Sequence, residues 1–259
     1  MKKIFSIVVI LLLSAAFLSA QEQNQTQSQN QNTQNLPQQK QKKNKIAGGL
    51  YLKGGISWLM SDSKSFLSDN KAKLTYGFGA TMDWNFSQNF SLNITAGLCN
   101  LGGTTTFKYG LIDLKDIDDK LIPTSNDTTF APHSYKYSTT YIEVPIGIKG
   151  CTNEIGYFTY FLKLGIDPMV RIKSKITPET KEVYIITKST NLFNVGWFVG
   201  GGAEWTLAGN TKLLFEIGYL GTFFDFDKID SWKGETKAET RFNPSIKFND
   251  ISLKVGVIF

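Results

Sequence analysis

The chain has 259 residues, a formal net charge of +6, two cysteines and one histidine. Residues 1–45 hold six lysines and one glutamate, so they carry +5 of that charge and leave +1 for residues 46–259. The basic balance therefore belongs to one end and does not argue for nucleic-acid binding, and two cysteines without a CxxC or Cys/His cluster give no metal site.

In chain order, Lys2 and Lys3 precede an apolar run from Ile4 to Leu13, and small residues follow up to Ser19 and Ala20. This layout predicts a secretory signal peptide over 1–20, cut after Ala20, with an apolar core too short to span a bilayer. No cysteine follows the cut, so no lipid anchor is expected. Residues 21–45 are almost entirely Gln, Asn, Thr and Ser, closing on Lys40, Lys42, Lys43 and Lys45. A segment that cannot bury apolar surface is expected to stay disordered.

From Ile46 onward the apolar pattern has period two. In LTYGFGATMDWNF (74–86), Leu74, Tyr76, Phe78, Ala80, Met82, Trp84 and Phe86 share one face. The same alternation runs through 46–60, 90–103, 138–150, 157–173, 191–207, 212–226 and 245–259, giving eight segments long enough for tilted membrane strands. The connections 87–89, 151–156 and 208–211 are short. They alternate with long ones at 61–73, 104–137, 174–190 and 227–244. The expectation is an all-β, eight-stranded antiparallel up-and-down transmembrane β-barrel over 46–259, with short periplasmic turns, long extracellular loops and an outer-membrane location.

Strand parity sorts the two faces. The expected lumen charges are Lys53, Asp83, Glu143, Lys149, Lys163, Asp167, Arg171, Glu204, Glu216 and Lys254. The opposite face carries Trp58, Trp84, Phe90, Phe158, Tyr160, Trp197, Trp205, Phe215 and Tyr219. Rows of such rings would overfill an eight-strand lumen, whereas Gly, Ser, Thr and paired charges fit, so the rings are assigned outward. Five acids against five bases predict a neutral interior closed by ion pairs, among them Glu216–Lys254 and Glu143–Lys163. The final segment, DISLKVGVIF, puts Ile251, Leu253, Val255, Val257 and Phe259 outward. Its terminal Phe is similar to the assembly signal of outer-membrane barrels, although Val257 stands where a second aromatic is usual.

YIEVPIGIKG (141–150) resembles a strand of outer-membrane β-barrel proteins of the PorT-like type, matched at Tyr141, Glu143, Pro145 and Lys149. VGWFVGGGAEWTL (195–207) is similar to that family's Gly-rich strand ending in an acid and an aromatic, here Glu204 and Trp205. The resemblance covers residues 46–259 and implies an eight-stranded barrel with, in some members, a role in protein secretion across the outer membrane. It supplies no catalytic residue. Mid-strand proline removes a ladder donor, so a bulge is expected near Pro145 and again near Pro168.

No catalytic, cofactor or metal site is read from the chain. His133 stands in the longest connection beside Ser134, with Asp127 upstream, and no scaffold to hold the imidazole against a partner is legible there. The acids Asp113, Asp116, Asp118 and Asp119 lack EF-hand spacing. The expected function is that of a non-enzymatic envelope protein or secretion component acting through its extracellular loops, the alternative being a narrow channel for small solutes. Expected partners are outer-membrane lipid, the barrel-assembly machinery and a protein bound through loops 104–137 and 227–244. Cys99 and Cys151 are expected at opposite ends of the barrel and unpaired.

Overall fold

The structure, a computed structural model, describes residues 45–61, 67–107, 133–178, 183–186, 190–226 and 246–259. The expected signal peptide, nearly all of the tail, Asp127, the acids at 113–119 and loop 227–244 lie outside these residues.

Eleven strands are described: β1 (Ile46–Ser61), β2 (Leu67–Lys71), β3 (Lys73–Asn85), β4 (Phe90–Phe107), β5 (His133–Glu143), β6 (Ile146–Cys151), β7 (Phe158–Pro178), β8 (Tyr184–Ile185), β9 (Phe193–Ala208), β10 (Thr211–Thr222) and β11 (Ile246–Ile258). All pairings are antiparallel. β5 and β6 form one stave, both lying between β4 and β7. The staves β1, β3, β4, β5/β6, β7, β9, β10 and β11 then close in a ring, because β11 returns to β1 with Gly49 opposite Ile258 and Ser61 opposite Ile246. Closure leaves these eight staves without an open edge. The short turns are tight: Gly156 and Gly209 take φ of 64° and 58°, a region where a side chain would be strained.

Three details depart from the sequence reading. The ladder lapses at Val144–Pro145, but its register does not shift: three residues separate Glu143 from Ile146, and three separate Gly97 from Ile94 opposite them. No bulge is needed because each proline keeps its acceptor in the ladder. Thr95 N donates to the Pro145 carbonyl and Val144 N to that of Pro168, both at 2.9 Å. The bulge comes instead where Thr140 faces Lys173 and Tyr141 faces Arg171, so that Ile172 has no partner on β5. Beyond it the inward positions of β7 change from odd to even, with Ser174 and Ile176 buried. The long connections are also partly strand. β4 reaches Phe107 and β5 begins at His133, opposite it, so His133 opens a strand and does not sit within a loop.

Pairing of β3 with β4 stops at Gly77 opposite Cys99. Between that point and Thr104, where β2 takes up the pairing, β4 is capped by a side chain from β1: Gly102 N donates to Ser57 Oγ at 2.8 Å, and Ser57 Oγ donates to the Gly102 carbonyl at 2.6 Å. A buried backbone pair that has lost its ladder partner is thereby satisfied.

Candidate functional site

The inward face is filled along its length by two materials. At the short-turn end Phe161, Leu214 and Ile258 make a small apolar floor, with Ala47 and Cys151 packed on it. Above this floor lies a continuous ionic network. Lys212 contacts Glu204 at 3.0 Å, Lys149 bridges Glu204 and Asp83, and Asn93 Nδ2 donates to Asp83 at 2.7 Å. Lys163 donates to Asn93 Oδ1 and pairs with Glu216 at 2.7 Å. Glu216 also meets Lys254 at 3.4 Å, and that ammonium lies over the Tyr51 ring. The Tyr51 hydroxyl donates to Glu143, which pairs with Lys53 at 3.4 Å, and Lys53 reaches Asp250 at 3.3 Å. Thr75 closes the chain by donating to Asp250 at 2.9 Å. Every stave contributes a member.

Tyr51 can lie along the inner wall towards Glu143 because the residues level with it on the next two staves, Gly79 of β3 and Gly97 of β4, carry no side chain. A Cβ added at Gly79 or Gly97 would stand 2.7 or 2.6 Å from its hydroxyl oxygen. Glycine there sets the reach of Tyr51 to Glu143.

Nearer the long-loop end the filling is apolar and aromatic. Leu59, Leu101, Tyr135, Tyr137, Tyr141, Met169, Ile176, Ile186, Phe226, Ile246 and Phe248 are buried together. Phe226 lies 4.8 Å from Phe248 and 5.2 Å edge-on from Tyr137. The expected lumen of small residues and charges is therefore half of what is present. Tyr51, Phe161, Phe198 and Phe248 also point in, because staggered strands bring few rings to any one level.

Nine of the ten charges assigned inward by parity have buried side chains. Arg171 does not join them; it is half-buried above the network and donates to the carbonyl and hydroxyl of Thr190. Asp250 and the half-buried Lys212 take part although the sequence reading did not name them, and both sit at inward positions that parity marks. The balance is accordingly six carboxylates to five ammonium groups. Lys254 meets Glu216 as expected, but Glu143 pairs with Lys53, not with Lys163. Counting heights from the strand ends ignores the stagger between staves, which sets Lys163 level with Lys149. Asp167 is fully buried with Oδ1 lacking a hydrogen-bond partner, and it lines a cavity of about 20 Å³ with Lys53, Glu143, Ser252 and Lys254. That is room for about one water.

Among the described residues no three His, Cys, Asp or Glu side chains are placed to hold a metal ion. Ser134, the neighbour of His133, shares a 2.7 Å hydrogen bond with Thr106.

The outward face is apolar along a band. Leu52, Phe78, Leu164 and Ile217 are each more than half exposed. An apolar surface this extensive marks contact with lipid. Rings flank it. Trp84, Phe90, Phe158, Tyr160 and Trp205 are exposed toward the short-turn end, and Phe158 stacks on Trp205 at 6.0 Å. Toward the other end Trp58, Tyr219 and Trp197 cluster at 6.3 and 5.2 Å. Two aromatic girdles bounding an apolar band are what a membrane barrel presents.

A family model described as outer membrane protein beta-barrel domain matches residues 27–228. Among solved structures the chain is similar to Ail of Yersinia pestis, with 13% identity over 83% of this chain and 100% of that one and a TM-score of 0.39. It is also similar to OprG of Pseudomonas aeruginosa, with 11% identity, 82% and 96% coverage and a TM-score of 0.43. The outer membrane protease OmpT from Escherichia coli matches at 10% identity, covering 83% of this chain and 96% of that one, with a TM-score of 0.39. No curated protein matches the chain.

Proposed function

The chain belongs to the family of outer membrane protein β-barrel domains and resides in the cell outer membrane, and we propose that it works there as a closed, non-enzymatic barrel. Its long-loop end faces outward and carries its interactions; its short turns and the first and last strands' outer ends, at Ile46 and Ile258, face the periplasm. The observation that supports this reading is the filled lumen. A conducting path would have to cross the apolar floor, the ionic network and the aromatic plug in turn. An eight-strand interior is too narrow to leave room beside them.

Within the family we infer a PorT-like relationship, with residues 1–20 as a cleaved signal peptide and 21–45 as a tail. The four motif residues Tyr141, Glu143, Pro145 and Lys149 all face the lumen. Tyr141 packs in the plug, Glu143 holds Lys53, and Lys149 joins Asp83 to Glu204. The motif thus reads as the stave that ties the two fillings together. Attachment to the barrel-assembly machinery or a secretion complex would then use the outer and periplasmic surfaces. Purified protein inserted in a planar bilayer is expected to show no stepwise conductance at 100 mV in 1 M salt, conditions on the order of those that reveal open pores. Reproducible unitary steps would refute the closed-barrel reading and support a solute channel.

A further inference from the structure

The outward face changes character along a straight line at the long-loop end. On three adjacent staves the row Leu98–Ile142–Val170 is apolar and in register. The next outward row is Asn100–Thr140–Lys173, followed by Gly102–Ser138–Lys175 and Thr104–Lys136–Thr177. Counting from Phe90, the apolar stretch of β4 ends at Leu98. Eight steps of about 3.3 Å, tilted by about 40°, rise on the order of 20 Å, close to the apolar height of an outer membrane. The rows above the line therefore stand at the depth of lipid headgroups.

Those rows are basic. Lys73, at the head of β3, extends over the outer side of β4, where its ammonium donates to Asn100 Oδ1 at 2.6 Å and to Ser138 Oγ at 2.7 Å. Both acceptors are neutral. Lys175 stands directly opposite Ser138, and Lys136 is the next outward residue along β5, so both lie beside the Lys73 ammonium. Among the described residues, no carboxylate forms an ion pair with any of the three. The contrast with the lumen is direct, since every buried lysine there has an acid. Three gathered cations with no counter-charge among the described residues, held one to three rows above an apolar band, are placed to take up an anion from the surroundings.

We propose that Lys73, Lys136 and Lys175, with Lys173 at their lower edge, bind the phosphate group of a phosphorylated glycolipid in the outer leaflet. The site rests on the outward orientation of the long-loop end given above. Its occupant is a lipid and not a soluble anion, because the apolar row Leu98–Ile142–Val170 directly beneath offers acyl chains a surface that continues from the phosphate. Lys73 is pre-positioned by Asn100 and Ser138, so one of the three ammonium groups loses little freedom on binding.

The test uses the full chain in detergent and titrates it with bisphosphorylated lipid A, with the same lipid stripped of phosphate, and with inorganic pyrophosphate. Bound lipid is counted by native mass spectrometry. The triple variant Lys73→Gln, Lys136→Gln, Lys175→Gln is expected to bind bisphosphorylated lipid A roughly a hundredfold more weakly, at about tenfold or less per lysine. A second triple variant, Lys40→Gln, Lys42→Gln, Lys43→Gln, removes the same charge from the tail and is expected to bind as the parent does. Both are checked for the heat-modifiable gel mobility of a folded barrel. If the first triple variant does not fold, the double variant Lys136→Gln, Lys175→Gln, which disturbs no hydrogen bond given above, is expected to lose roughly tenfold or more. Unchanged lipid A binding in the folded triple variant at Lys73, Lys136 and Lys175, or in the double variant at Lys136 and Lys175, overturns the site. So does equal retention of the phosphate-free lipid. Pyrophosphate binding as tight as that of lipid A assigns the lysines to a soluble anion and overturns the lipid reading, while leaving the closed-barrel conclusion, which conductance tests, untouched.

Discussion

The two fillings of the lumen come from the same alternation of inward positions, yet they resist perturbation in different ways. In the ionic half each group is held by the charge of another, so the members fail together: Lys149 serves Asp83 and Glu204, and Glu216 serves Lys163 and Lys254. In the aromatic half each ring is held by shape, and Phe248 touches Phe226 and Tyr141 without depending on the charge of either. Buried charges left unpaired cost several kcal/mol each, whereas a lost ring costs its transfer energy and the cavity it leaves. The lesson is that two plugs of similar tightness can differ in which kind of substitution they tolerate.

The largest effect is therefore expected in the ionic half. Lys149→Met leaves Asp83 and Glu204 facing each other in a buried space, with only Lys212 and Asn93 to soften the repulsion. A loss of about 4 to 5 kcal/mol is expected, read from denaturant unfolding in liposomes. Adding Glu204→Gln is expected to recover part of that loss. If Lys149→Met unfolds at the parent's denaturant concentration, the network is not what holds this half.

In the aromatic half Phe248→Ala is expected to cost about 3 kcal/mol by the same assay, because the side chain is fully buried. Here no second-site charge change should help, while Phe248→Leu should lose less. Rescue of Phe248→Ala by altering a lumen acid would mean that the two halves are one unit. A smaller effect is expected when a charged set is removed whole. Lys163→Met, Glu216→Leu and Lys254→Met together are expected to change stability by about 1 kcal/mol or less, far below Glu216→Leu alone, which strands two lysines.

Much of this division was legible before the structure, for a physical reason. Strand parity is rigid over eight or nine residues, so Lys53, Asp83, Glu143 and Lys149 could be set on one face from the sequence. What parity does not give is level. The stagger between staves decides that Glu143 meets Lys53 and that Lys163 meets Glu216, and stagger is a property of the closed ring. Nor does it show where parity slips. The change between Arg171 and Ser174 comes from a bulge at an ordinary Arg-Ile-Lys run, while the two prolines that looked like bulge sites keep register. The inward rings were missed for a different reason. Tyr51, Phe161 and Phe248 carry inward parity, but volume alone favours small residues and charges inside, and only their spread along the axis lets these rings fit. The lysine cluster outside the barrel had no sequence signal at all, because Lys136 and Lys175 are brought together by the register of β5 and β7 and Lys73 reaches them from β3 across β4.

The smallest effect concerns the boundary between the halves, and Cys99 reports on it. Cys99 is buried opposite Tyr141, whose ring belongs to the plug, and Glu143 of the network is the next inward residue along that stave. Cys151 is half-buried on the floor, and the two cysteines form no disulfide. The rise of roughly 23 Å from the level of Phe90 to that of Cys99 keeps them too far apart for a disulfide. A water-soluble maleimide is expected to label Cys151 in the folded protein and leave Cys99 unlabelled, with both reacting after denaturation. Parent stability does not enter, so the measurement sees access alone. Phe248→Ala should then admit the reagent to Cys99 from the long-loop side, because the plug is thinned above it. Lys149→Met, if it still folds, should admit it from the short-turn side, where the ionic filling is breached. Labelling of Cys99 in the unaltered barrel would mean that water already passes one of the two fillings, and the side from which reagent enters vesicles would say which.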